Sequence, residues 1–358
     1  MTASTEAPSH PPDPSILRRE IGEQPEVLAR LLDRERATVA RLAAKWRRDD
    51  IHYLTIAARG SSDNAATYAK YLFGAFADLP VVLAAPSLHT LYQAEPRLRH
   101  SIVLAISQSG ESPDILAVVA DAKKQGAPTL AITNSPNSTL AASADDVLLL
   151  HAGLEESVAA TKTFTTSIGA LALFGAAWLG TDETLLDDLL RMPEQMARAI
   201  TVEPAVRELA ATVSGGQHFA IIGRGYSYAT AFETALKLKE LTYVAAEPYS
   251  SADFLHGPIA IVDDELYAMV IAPSGLAHDS AIEFVHRIRA EGGRLIGISD
   301  QSDFLKLTQN GVELPRVPEW LSPLVTVIPG QLLALYLARA KGYDVDRPRR
   351  LTKVTKTT

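Results

Sequence analysis

The chain has 358 residues, enough for two domains of ordinary size, each with its own core. Its 47% apolar and 21% charged residues are those of a folded globular protein. The 42 acidic against 34 basic residues (net charge -8) argue against a nucleic-acid partner, because phosphate backbones select a surplus of Lys and Arg. Cysteine is absent, which excludes disulfides, thiolate nucleophiles and Cys-ligated zinc. The nine His form no His-Glu-x-x-His pattern, so neither a metal nor another cofactor is expected.

Four prolines among Ser and Thr predict a disordered tail over 1–15. The N-terminus shows no basic region followed by an apolar run, and the most apolar stretch, 168–179, is too short to cross a bilayer. A cytoplasmic protein without membrane contact is therefore expected. Over 16–45, Val27, Leu28, Leu31 and Leu32 recur at helical spacing, predicting one amphipathic helix or a pair broken at Pro25.

Short apolar runs at 53–58, 81–85, 102–106, 129–133 and 147–150 then read as strands. They are apolar nearly throughout and separated by helical patterns, as in a parallel sheet covered on both faces. The same plan returns. Arg59-Gly60-Ser61-Ser62 has a counterpart in Arg224-Gly225-Tyr226-Ser227, and Ser109-Gly110 in Ser274-Gly275, both displaced by 165 residues (59 to 224, 109 to 274). Asn134 and Asp300 end a third matching pair, displaced by 166 (134 to 300). The fold class is thus α/β: two tandem units, each a mostly parallel flavodoxin-like or Rossmann-like sheet between helix layers. Their predicted bounds are 46–180 and 206–342, with a helical linker over 181–205 and a C-terminal tail over 343–358.

Ligands of open α/β sheets bind at the carboxyl ends of strands. The first candidate loop is Ser107-Gln108-Ser109-Gly110-Glu111-Ser112. Ser112, Pro113 and Asp114 have the order of an N-cap and first helical turn, and Gly110 permits a tight turn. Hydroxyls, the Gln108 amide and helix-end N–H groups together make a neutral phosphate cradle. The plainer alternative is a solvated Ser-rich turn. Its counterpart Ala272-Pro273-Ser274-Gly275 has lost most of the hydroxyls, which favours one ligand site over two.

The second loop, Arg59 to Asn64, also joins a strand to a helix. Its twin begins like a dinucleotide fingerprint but has Tyr228 where Gly or Ala belongs. The third candidate is a helix on which Glu233, Lys237 and Glu240 share one face, two carboxylates bracketing an ammonium. An ordinary solvated ion pair is the plain explanation, and a cleft-facing acid/base group the sharper one. His256 stands before a Gly257-Pro258 turn, and the tail around Arg347 to Lys353 is basic.

These residues resemble the sugar-isomerase (SIS) domain family, in particular the isomerase half of glutamine-dependent glucosamine-6-phosphate synthase. The likeness runs from about residue 45 to the end. It is carried by the 107–112 loop, by Val158-Ala159-Ala160-Thr161-Lys162-Thr163-Phe164-Thr165, by Ala235-Leu236-Lys237-Leu238-Lys239-Glu240, by Leu255-His256-Gly257-Pro258 and by the 346–353 tail. The resemblance implies that Ser107, Gln108, Ser109 and Ser112, with Ser61 and Ser62 beside them, hold a sugar phosphate. It places Val158 and Ala160 against the sugar. It makes Glu240 the base that moves a proton between C1 and C2, with Lys237 and Glu233 in support. It makes His256 the ring-opening group, supplied across a homodimer, and Lys353 a Schiff-base amine.

Two departures shape the expected activity. Ala160 stands where the synthases usually carry Ser, and the chain shows neither a glutaminase segment nor any Cys. The expectation is therefore deamination of glucosamine 6-phosphate to fructose 6-phosphate and ammonia. Synthesis from free ammonia and deamination of galactosamine 6-phosphate are the enzyme alternatives. A non-catalytic sugar-phosphate sensor is the alternative from another class, and it would not need Glu240, His256 and Lys353 together.

Overall fold

The computed structural model describes residues 13–47, 50–180 and 183–353. Two five-stranded sheets form the frame. The first contains β1 (Tyr53–Ala57), β2 (Val81–Leu83), β3 (Ser101–Ile106), β4 (Thr129–Thr133) and β5 (Asp146–Leu149) in the order β2-β1-β3-β4-β5. The second contains β6 (His218–Ile222), β7 (Ala245–Tyr249), β8 (Leu266–Ile271), β9 (Arg294–Ser299) and β10 (Asn310–Glu313) in the order β10-β9-β8-β6-β7. Every pairing is parallel. Counted within each unit the two orders are the same, so the repeat seen in the sequence is a repeat of topology. β3, β4 and β8 are buried along their whole length, as continuous apolar runs require in a sheet covered on both faces.

The N-terminal segment forms one helix, Ile16–Trp46, unbroken at Pro25. Proline removes the N–H that would pair with the Ile21 carbonyl. The buried Gln24 side chain replaces it, donating from Nε2 to Ile21 O at 3.0 Å and to Gln331 Oε1 at 2.8 Å. Of the expected disordered tail, residues 1–12 lie outside the described residues. Asp13 and Ser15 correct the rest: Ser15 caps the helix through Arg18 N at 3.2 Å, and Asp13 pairs with Arg339 at 3.0 Å.

The segment expected as a linker holds helices Glu183–Leu190 and Met192–Ile200 and the start of Glu203–Thr212, with residues 181–182 outside the described residues. Met192, Met196 and Ala199 are buried in the main core. The long apolar helix is not 168–179 alone: Lys162–Leu179 and Pro323–Ala340 are both nearly wholly buried. Residues Glu319–Ala340 have the length and apolarity to cross a membrane, yet that apolar window is 100% buried inside the protein. It is the core helix of the second unit, packed on Ser227–Thr242.

Candidate active site

In each sheet the chain direction of assembly reverses between the first and third strand of the unit, and there the loops splay apart to leave a crevice. In the first unit this switch point lies between β1 and β3. Both candidate loops, after Ala57 and after Ile106, end there. They form one wall of a cleft of about 370 Å³, a volume suited to a small metabolite.

Two glycines set the loops. Gly60, at φ 56 and ψ -131, turns β1 into the helix Ser61–Phe76 in a conformation closed to L side chains. Gly110, at φ +69, packs so closely on Ser138 that a Cβ would overlap its side chain. The Gly110 amide donates to Ser107 Oγ at 3.1 Å, which closes the turn. The helix Pro113–Lys124 follows, and Ser112 stands at its N-cap without a capping bond from its side chain. Ser61, Ser62, Ser107, Gln108, Ser109 and Ser112 therefore all line the same cleft. Arg59 joins them, its Nε donating to the buried Asp114 at 2.7 Å.

The opposite wall comes from the second unit. The helix Ser227–Thr242 packs against Ser61–Phe76 and presents Glu233, Lys237 and Glu240. Lys237 is sealed, its side chain 1% exposed, with Nζ 3.3 Å from Glu233 Oε1 and 2.6 Å from Glu240 Oε2. The second contact is an ion pair without hydrogen-bond alignment. Glu233 accepts from Ser61 Oγ at 2.9 Å and Asn64 Nδ2 at 2.7 Å, so it ties the helix to the start of the helix Ser61–Phe76. Burial pushes the Glu233 carboxyl above its ordinary value, against the pull of the Lys237 charge. Burial also opposes the charge on Lys237, but the two carboxylates outweigh it and hold its pKa well above the usual range. The solvated-face reading is thereby excluded. Lys237 and Glu240 line the cleft, whereas Glu233 lies behind it.

The third contribution is the tail. Asp346 accepts from the Ile16 and Leu17 amides, both at 3.1 Å, which fastens the tail to the N-terminal helix. Arg349 stacks on Tyr243 with its guanidinium 3.8 Å from the ring centroid. Lys353 then enters the cleft, its Nζ 2.7 Å from both Glu155 Oε2 and Ser157 O. Residues 354–358 of the predicted tail lie outside the described residues.

Glu155 is the residue that sequence reasoning missed. It is fully buried and also accepts from Thr161 N, Thr163 N and Thr163 Oγ1 at 3.0, 3.1 and 2.8 Å. Burial raises its carboxyl pKa, but the Lys353 charge and these donors outweigh burial and hold it below the ordinary value. The available signal was a carboxylate two residues after Gly153 and just upstream of the quoted 158–165 segment. Val158 and Ala160 line the cleft beside it. His256 is placed elsewhere: it caps the short helix Ser251–Leu255, is exposed, and does not line the cleft of its own chain.

Fold and site thus define a duplicated, doubly wound α/β protein with one polar cleft at the switch point of its first unit. The sequence pattern of the SIS domain matches residues 50–177 and 215–340, one match per unit, and the chain belongs to that family. It is 38% identical over 350 residues to an isomerising glutamine–fructose-6-phosphate aminotransferase from Thermococcus kodakarensis. That match covers 95% of this chain and 58% of the relative, so the chain spans little more than half of that enzyme. Among solved structures, the C-terminal domain of glucosamine-fructose-6-phosphate aminotransferase from Francisella tularensis superposes with a TM-score of 0.86 at 30% identity, over 94% of this chain and 99% of that one. A glucosamine-6-phosphate deaminase from Thermotoga maritima superposes with a TM-score of 0.78 over 96% of this chain and 100% of that one; at 20% identity the likeness is one of fold alone.

Proposed function

We propose that this chain is an aminosugar-phosphate isomerase that deaminates glucosamine 6-phosphate to fructose 6-phosphate and ammonia. One observation carries the reading. A carboxylate held by a sealed lysine, Glu240 on Lys237, shares a single cleft with a hydroxyl-lined helix N-terminus and with the Lys353 amine.

In this reading the phosphate sits on Ser107, Ser109 and Ser112 and the amides of their loop, with Ser61 and Ser62 alongside. The open-chain sugar extends toward Glu240. Glu240 takes the proton from C2 and returns it at C1 while a proton of the amine passes to the C1 oxygen, converting the 2-amino aldehyde into a 1-hydroxy 2-imine. Water then adds to C2 and ammonia leaves, giving the ketose. Lys237 holds the base in place through its ion pair, and Lys353, drawn in by Glu155, faces the carbonyl end. His256 does not line its own cleft, so the reading assigns ring opening to His256 of a second copy in a homodimer.

The test supplies purified protein with glucosamine 6-phosphate and follows ammonia and fructose 6-phosphate together. Stoichiometric release of both, lost in Glu240→Gln, is expected. Release no greater than that of the Glu240→Gln control would refute it, and turnover of galactosamine 6-phosphate instead would move the substrate.

A further inference from the structure

The second unit has its own switch point, between β6 and β8, where the crevice lined by Gly223, Arg224, Ser251 and Ala277 keeps only about 10 Å³ of space; an open hollow of about 400 Å³ lies against Ser274, Gly275 and residues Arg316 to Glu319. The occupant is a side chain of the protein. Glu319 lays its carboxylate across two successive amides, accepting from Leu276 N at 2.9 Å and Ala277 N at 3.3 Å. These amides lead into the 13-residue helix His278–Ala290. Gly275, at φ +148, has no room for a Cβ because the Glu319 carboxyl group already fills it. The remaining loop donors are taken as well: Ser274 donates from its amide to Asp300 at 2.6 Å and from its hydroxyl to the same carboxylate.

The first unit differs at both acids. Asn134, neutral, stands where Asp300 stands, and it bonds to Gly153 O and Ala152 N instead. Glu155 and Glu319 each follow the start of the fifth strand by nine residues (Asp146 to Glu155, Asn310 to Glu319). One carboxylate turns to Lys353 and leaves its loop open; the other turns onto its loop and closes it. A separate observation shows that the closed crevice keeps a ligand-facing group. Ser251, 3% exposed, lines it with an Oγ that has no hydrogen-bond partner among the described residues. Arg224 lines the same crevice.

We propose that the second unit retains a binding site for a phosphate-type oxyanion and that the Glu319 carboxylate is its built-in occupant. Two amides ahead of a helix, a buried hydroxyl and a guanidinium are the donors such an anion needs. Glu319 thereby makes a duplicated chain a single-site protein.

Equilibrium dialysis with inorganic phosphate tests this on the full chain. Glu319→Ala is expected to bind one equivalent more than wild type, at least tenfold tighter than any second equivalent wild type takes up. The pair Glu319→Ala with Arg224→Ala is expected to return to the wild-type count. The readout is a difference between variants, so it does not depend on whether the first cleft binds phosphate. Should Glu319→Ala fail to fold, Glu319→Ser keeps a small polar group at the position. An unchanged count in either folded variant would overturn the proposal.

Discussion

Replacing Lys237 by Met keeps the length of the side chain and removes its charge, which isolates the ammonium between Glu233 and Glu240. The contacts are 3.3 and 2.6 Å. At an effective dielectric of about 20 they amount to roughly 5 and 6 kcal/mol of gross attraction. Much of that offsets the desolvation of the ammonium, and breaking a buried pair typically costs about 3–5 kcal/mol. Glu233 makes the loss severe because its side chain is 0% exposed and cannot turn to water. The variant escapes by taking up a proton. Burial already raises the Glu233 pKa above its ordinary 4.5, and Lys237 is the charge that restrains it. Without Lys237 the folded state binds a proton that the unfolded state has released above pH 4.5. Stability therefore falls as pH rises from that value toward neutrality. Urea unfolding of Lys237→Met at pH 5 and pH 8 should show a loss of about 3–5 kcal/mol at the higher pH and clearly less at the lower. Adding Glu233→Gln should recover about 2 kcal/mol or more at pH 8, as a double-mutant cycle of touching groups permits. A loss under about 1 kcal/mol at pH 8, or no recovery in the double variant, would refute a buried pair and restore an ordinary solvated one.

Glu155→Gln keeps an acceptor for the Thr163 hydroxyl and removes the charge that holds Lys353. Because the Glu155 pKa is depressed, its contribution is present above 4.5 and is lost as pH falls through the folded value. The variant should be less stable than wild type by about 1–3 kcal/mol at pH 7, and the difference should shrink in acid. It should also be nicked faster by trypsin after Lys353, read by mass. Gly110→Ala places a side chain at φ +69 and against Ser138. Strain and overlap together should cost about 2–4 kcal/mol in denaturant titration. In the folded fraction the KM for a sugar phosphate should rise, whereas a substitution in an unrelated loop, Gly126→Ala, should leave KM at the wild-type value.

The strands were legible because a sheet covered on both faces needs apolar side chains in both directions, so 102–106 is an unbroken apolar run and 129–133 is apolar between its two terminal threonines. The edges were less so. β2 ends at Leu83 and not at residue 85, since an edge strand pairs on one side only. The hydroxyl loop was legible because a helix N-cap, a proline and a glycine leave local marks. The Glu233, Lys237 and Glu240 face was legible as spacing, but spacing is the same on a wet helix and a sealed one. Only the packing of Ser227–Thr242 against Ser61–Phe76 decides between them. Pro25 left two readings open for a related reason: the Gln24 amide that replaces the lost bond is held by Gln331, over 300 residues away. Glu155 left no mark because a carboxylate in irregular backbone has no period, and its meaning depends on Lys353, 198 residues further on.

The duplication explains why the cleft needs the whole chain. One unit alone supplies the hydroxyl loop, Arg59 and Glu155 but not the Glu240 carboxylate, since the Glu233 to Glu240 helix belongs to the other. The second unit alone supplies that helix, but its own loop is closed by Glu319 and Asp300. The Glu233 bonds to Ser61 and Asn64 tie the two units together at the cleft, because they fix the helix that carries Glu240 to the helix that starts at Ser61. A charge fully buried for that purpose costs stability unless it is compensated, and Lys237 compensates it while also pairing with Glu240. Binding geometry and proton chemistry therefore share one buried cation. Substitutions at Lys237 should impair both together, whereas those in the 107–112 loop should impair binding first.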